Sequence, residues 1–148
     1  MMLGQRNPQT SMFEGDQRYT QHVGPESFYG FLARERHNLF RDDDFAALYH
    51  EKLGRPSVPP STLCLALVLQ AHDRLSDAGA RDSAAYDLRW KVALGVGEED
   101  RPFTKSTLQL FRAQLLCNEE ARKLFESSLR CRDIEGQAAS SEWCIATA

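Results

Sequence analysis

Residues 61–75 read STLCLALVLQAHDRL, and within them Leu63–Leu69 is an unbroken run of apolar side chains. The segment is fed by GRPSVPP (54–60), where three prolines within five residues forbid a regular helix and Gly54 can take a positive φ. A helix that is apolar on most of its faces has no side to offer to water. It must lie at the centre of the fold and be packed from more than one direction. Seven apolar residues are far too few to cross a bilayer, which needs roughly 20. The run therefore reads as the middle of a water-exposed domain with no membrane partner.

A chain of 148 residues supplies one domain with a genuine core. Its hydrophobic content of 42% and charged content of 26% are ordinary for a globular protein. The net charge of −3 gives no overall pull toward a polyanion, but the charge is uneven. Between Arg101 and Arg132 there are seven basic residues against three acidic ones, while residues 1–100 carry an acidic excess. Any surface that attracts nucleic acid is expected from the last helices. The four cysteines lack the close spacing of a zinc site, and Cys64 sits in the apolar run, where a free thiol behaves as a small hydrophobe. With no secretory leader at the N-terminus, a reducing bacterial cytoplasm is the expected compartment, in association with the nucleoid.

Around the central run, the pattern predicts an all-α bundle of about six helices. Residues 1–24 show no sustained period and read as an extended or loose arm. The helical domain then occupies residues 25–130, and 131–148 form an irregular tail containing Trp143 and Cys144. Pro25-Glu26 opens a helix with Phe28, Phe31, Leu32 and Leu39 on its apolar side. Asp42-Asp43-Asp44 precede Phe45, Leu48 and Tyr49, as acidic residues in a first helical turn do, and one of the three is expected to cap. Ser76 caps a helix running to Gly95, with Tyr86, Trp90, Ala93 and Leu94 on one face. Thr104 or Ser106 caps the next, through Leu116. Asn118 caps the last, which turns Ala121, Leu124, Phe125 and Leu129 inward.

No local arrangement reads as an active site. Three consecutive aspartates on a helix start point apart and do not converge on an ion. His72 and Asp73 are sequence neighbours, which on a helix do not face each other, so a structural role is expected for them. There is no glycine-rich phosphate loop, nucleophile elbow or H-E-x-x-H motif. The one suggestive stretch is FTKSTLQLFRAQLL (103–116). Leu108, Phe111 and Leu115 share a narrow apolar sector, while Lys105, Gln109 and Arg112 fall at i, i+4 and i+7 on another face. That stripe is either a wetted helix face or a surface for phosphates and base edges.

Several segments in register resemble the InsH-like N-terminal domain of bacterial insertion-sequence transposases. They are MLGQRNPQTSMFEGD, VGPESFYGFLARERHNLFRDDDFAALY, GRPSVPPSTLCLALVLQAHDRLSD, AYDLRWKVALG and RPFTKSTLQLFRAQL, together covering residues 2 to about 129. The resemblance implies a helix-turn-helix-like, DNA-binding helical domain that precedes an RNase H-like catalytic domain of the DDE type. In that family three carboxylates of the catalytic domain hold two Mg²⁺ ions that activate water and a 3′-hydroxyl. Residues 131–148 do not resemble the expected continuation, so the reading is a truncated or frameshifted transposase frame, without a cofactor in this chain and inactive alone. The expected DNA contacts are Arg101, Lys105, Gln109, Arg112, Arg122 and Lys123, with the element's terminal repeats as partner. The alternatives are a module that pairs protomers, with itself or with full-length transposase, and a decayed fragment without function.

Overall fold

In the computed structural model of the protein, residues 3–6, 15–49 and 57–130 are described, those at 15–18 by their backbone alone. They form seven α-helices, a 3₁₀ helix and no strand. The helices are α1 (Gly15–Val23), α2 (Phe28–Leu39), the 3₁₀ helix (Asp42–Leu48), α3 (Pro60–Asp73), α4 (Asp77–Tyr86), α5 (Leu88–Leu94), α6 (Lys105–Cys117) and α7 (Glu119–Arg130). The all-α expectation is met, with two more α-helical pieces or short turns than the sequence pattern implied. One is α1, which lies in the stretch expected to be an arm. It packs against α2 and α5, so tertiary contact supplies the order that nine residues without strong periodicity cannot supply alone. Residues 3–6 carry no helix or strand. The expected tail, and the Gly54 end of the proline connector, fall outside the described residues.

α3 is the centre of the bundle. Leu63, Cys64, Leu65, Ala66, Val68 and Leu69 are all buried, and only Leu67 is half-buried. Full burial of one such leucine is worth roughly 1.5–3 kcal/mol, so this run alone is a large share of the hydrophobic stabilisation. Burial also raises the Cys64 thiol well above its ordinary value, as expected for an inert core cysteine.

Each end of α3 is fixed by a carboxylate. At the start, Pro59 and Pro60 supply the pre-set φ of a first helical turn but no capping side chain. Asp42 does that work from the 3₁₀ helix: its Oδ1 accepts from Ser61 N at 2.9 Å and its Oδ2 from Arg6 N at 2.8 Å. An aspartate expected to cap its own helix thus caps the next one and pins the N-terminal segment beside it. Gly4 is required here, because a Cβ on it would collide with the Ser57 carbonyl. At the other end, Arg74 turns left-handed (φ 55°, ψ 46°), and Leu75 N closes on Gln70 O at 3.0 Å.

The Asp73 carboxylate joins three helices there. It accepts from Tyr29 of α2 at 2.6 Å and from the Trp90 indole of α5 at 2.7 Å, and His72 Nδ1 lies 2.8 Å away. Burial pushes this carboxyl up, but the bonds from Tyr29, His72 and Trp90 together outweigh it and hold it below the usual range. His72 and Asp73 therefore do face each other, contrary to the simple helix rule. Phe28 stacks on the imidazole at 4.0 Å, and Tyr29 and Trp90 draw the carboxylate inward, so both side chains turn to one side as the helix ends.

The helix expected from Ser76 to Gly95 is two helices. Asp87 leaves the helical region (φ −86°, ψ 119°), and its carboxylate accepts from Arg89 N, which starts α5 afresh. The break resets the helical phase. Trp90, Ala93 and Leu94 enter the core, but Tyr86, expected beside them, is 72% exposed. The later caps are as read: Ser76 on Gly79 N, Thr104 on Thr107 N and Asn118 on Ala121 N. Ala121, Phe125 and Leu129 are buried, with Phe125 stacked on Phe40, while Leu124 is half-buried.

Trp90→Ala removes a fully buried indole and leaves Asp73 short of a donor. It is expected to cost about 3–5 kcal/mol in urea unfolding. Trp90→Phe keeps most of the volume and isolates the lost hydrogen bond, for a smaller loss of about 1–3 kcal/mol.

Candidate nucleic-acid interface

α6 begins where Thr104 accepts from Thr107 N at 3.2 Å, following the charged loop after Gly95. Leu108, Phe111 and Leu115 are at most 1% exposed, so the apolar sector fastens the helix to the core as its spacing predicts. Phe111 meets Phe45 edge to face at 6.4 Å.

The polar stripe divides. Lys105 is exposed and makes no ion pair or side-chain hydrogen bond among the described residues. Arg112, in contrast, turns toward the α3–α4 turn. Its Nη2 donates to Asp77 Oδ1 and to Gln70 Oε1, both at 2.7 Å. Gln109 Nε2 donates to the second Asp77 oxygen at 3.1 Å. Gln70 completes the set by donating to Asp77 and to the Leu75 carbonyl. Asp77 carries the negative end of a clasp joining α3, α4 and α6, and the bond from Arg112 above all holds its carboxyl down at about 2. Arg112, expected to face outward, is thus half-buried in the clasp, while Gln109 stays exposed with its amide on Asp77. Asp77 lies in the first turn of α4, and the fold brings it to Arg112 of α6, 35 residues away.

The other three cations are also engaged. The Arg101 guanidinium lies 5.8 Å from the Tyr86 ring centre and donates to its hydroxyl, which explains the placement of that exposed tyrosine. On α7, Lys123 pairs with Glu119 at 2.7 Å and Arg122 approaches Glu126 at 3.9 Å. Exposed pairs of this kind contribute little stability, but they cancel charge. α7 carries Glu119, Glu120 and Glu126 against Arg122, Lys123 and Arg130, and is electrically balanced. The basic excess read from the sequence is therefore concentrated in residues 101–117, where no acid occurs. Arg101 and Lys105 stand within about 14 Å of each other, the reach of four residues. Lys105 is roughly 20 Å along the α6 axis from Asn118, where α7 begins.

A family model described as a transposase domain (DUF772) matches residues 19–114. The chain belongs to that family. The matched stretch of this DUF772 domain runs from α1 into α6. It includes the Asp73 junction, the Asp77 clasp, Arg101 and Lys105, and leaves out α7. No curated protein and no solved structure matches the chain. No helix among the described residues is long and apolar enough to cross a membrane. Among the described residues no three or more His, Cys, Asp or Glu side chains gather as a ligand set.

Arg112→Ala should destabilise the domain by about 2 kcal/mol, since it removes two charge-assisted bonds at a half-buried position. Gln109→Ala, at the exposed edge, should cost less than about 1 kcal/mol. Asp77 is depressed from about 3.9 in the unfolded chain, so its contribution is complete above that pH and is lost as pH falls toward 2. The gap between wild type and Arg112→Ala, measured by urea unfolding, should close between about pH 4 and pH 2.

Proposed function

We propose that this DUF772 domain is the DNA-binding N-terminal domain of an InsH-like, DDE-type insertion-sequence transposase, and that it engages the terminal repeats of its element. The observation that carries the reading is the acid-free stretch 101–117 within the family match, with Lys105 exposed at the start of α6 and Arg101 held out on Tyr86. Lys105 and Arg101 serve as phosphate contacts. Arg112 and Gln109 act indirectly, by fixing the helix that presents Lys105. Arg122 and Lys123 are weaker contacts, because each must leave a carboxylate on its own helix. A helix-turn-helix-like use of α3 and α4 belongs to the same proposal, since only Arg74, Leu75 and Ser76 separate them.

A second reading has its own observation. Leu110, Ala113 and Cys117 are exposed at i, i+3 and i+7 on α6, with Leu110 48% exposed. Such a stripe suits the pairing of protomers, and Leu110→Lys would then lower the mass seen in sedimentation equilibrium.

Binding to a terminal-repeat duplex across a salt series tests the first reading. Lys105→Ala should leave stability unchanged within about 0.5 kcal/mol. It should weaken binding to all duplexes alike and reduce the slope of log K against log salt by about one. Unchanged affinity and slope in a Lys105→Ala, Arg101→Gln double variant would refute the DNA reading.

A further inference from the structure

Tyr86 is the only exposed Phe, Tyr or Trp among the described residues. The others are buried or half-buried, as large rings ordinarily are. The helix break turns Tyr86 out: Asp87 leaves the helical region and accepts from Arg89 N, so α4 stops with Tyr86 as its last residue. Arg101 meets the ring from across the fold. Its Nη2 donates to the Tyr86 hydroxyl at 3.3 Å, and its Cζ lies 5.8 Å from the ring centre. Even with that guanidinium beside it, the tyrosine is 72% exposed, so most of its π surface is open to solvent.

Two cations share this end of the molecule. Asp77 at the start of α4 bonds to Gln109 and Arg112, while Tyr86 at its end bonds to Arg101, so the two segments run antiparallel. Lys105 follows Arg101 by four residues and is likewise exposed. Neither cation makes an ion pair among the described residues. Asp82 and Asp87, beside Tyr86 on the chain, are offset by Arg81 and Arg89, each pair at 2.7 Å. Asp100 has an oxygen on Gly97 N at 2.8 Å. Glu98 and Glu99 stand exposed ahead of Arg101, so charge gives this end only a modest pull on phosphate. An occupant has to take much of its affinity from the ring. The ring is also isolated. The other exposed large apolar side chains among the described residues, Leu110 and Leu116, are on α6, so Tyr86 stands among charges and not in an apolar patch.

We propose that Tyr86 is a stacking platform for an unpaired base of single-stranded DNA, with Arg101 and Lys105 on the flanking phosphates. This rests on the DNA-binding reading and names the form of strand that this end of the domain takes. A duplex keeps its bases stacked on one another, so only an unpaired base offers its face to a surface ring. Every base has such a face, and the contact is therefore tolerant of sequence. The guanidinium beside the ring is planar and brings a second stacking surface and a positive charge in one group. A duplex would use the two cations and leave the ring idle.

The test is fluorescence anisotropy of the full chain with a labelled thymidine oligomer of about 15 nucleotides, and separately with a blunt terminal-repeat duplex. Tyr86→Ala should weaken oligomer binding by about five- to hundredfold, the loss of one stacked base. Its effect on the duplex should be less than about twofold. Tyr86→Phe keeps the ring and loses the bond from Arg101, and should stay within about threefold of wild type on the oligomer. Urea unfolding checks that both variants keep the stability of the wild type, as an exposed side chain predicts. In NMR spectra the Tyr86 ring protons should move upfield with the oligomer and not with the duplex. Equal oligomer affinity in Tyr86→Ala overturns the proposal and, if the duplex is still bound, leaves the terminal-repeat reading standing. Absence of binding to either probe at low salt overturns both. Tyr86-dependent binding of the oligomer without any binding of the duplex supports the platform and refutes the duplex reading alone. Unchanged oligomer binding with a lower mass for Tyr86→Ala in sedimentation equilibrium assigns the ring to a second copy of the chain, and the proposal falls.

Discussion

A helix with apolar side chains on almost every face has to be enclosed, and the enclosure of α3 organises this domain. α2, α4, α5, α6 and the 3₁₀ helix all touch it. Apolar contact alone does not choose an orientation for them, because burial is roughly proportional to area and has no direction. Direction comes from three carboxylates around the ends of α3. Asp42 caps its start and ties down residue 6, Asp73 at its end receives Tyr29 and Trp90, and Asp77 just beyond it receives Arg112 and Gln109. Each joins elements distant in sequence, and each is satisfied by several donors rather than by a single opposite charge. Such hydrogen-bonded carboxylates keep their charge at neutral pH, which is why Asp73 and Asp77 both lie below the ordinary range.

The same economy of charge shapes the candidate interface. A basic excess in sequence says how many cations exist, and the fold decides which of them remain available to a polyanion. Arg112 is committed to Asp77, and Arg122 and Lys123 are offset along their own helix. Lys105 and Arg101 are left facing outward.

What could be read beforehand was whatever depends on local periodicity. The apolar run at 63–69, the caps at Ser76, Thr104 and Asn118, and the sector of Leu108, Phe111 and Leu115 are set by spacings of three and four residues, and all are found as read. Residues 103–116 also announced two faces, and two faces exist. Their misreading lay in the destination of one face. A helical wheel shows that Arg112 and Gln109 point away from Leu108, but it contains no information about whether α4 or water waits there. The Asp87 break is a related case. Its carboxylate can cap a new helix only once the chain has turned, so Tyr86 appeared to continue a stripe that the fold interrupts.

By itself, then, the amino-acid sequence determined the all-α class, the central helix and membership of a transposase-domain family, because these rest on hydrophobic period, on turn and capping residues, and on motifs in register. Tertiary structure alone decided the partners of Asp42, Asp73 and Asp77, and with them which arginines are spent inside the molecule. The reason is physical. A hydrogen bond acts over about 3 Å, and the separations of 17, 35 and 44 residues that it spans here are closed only by packing around α3.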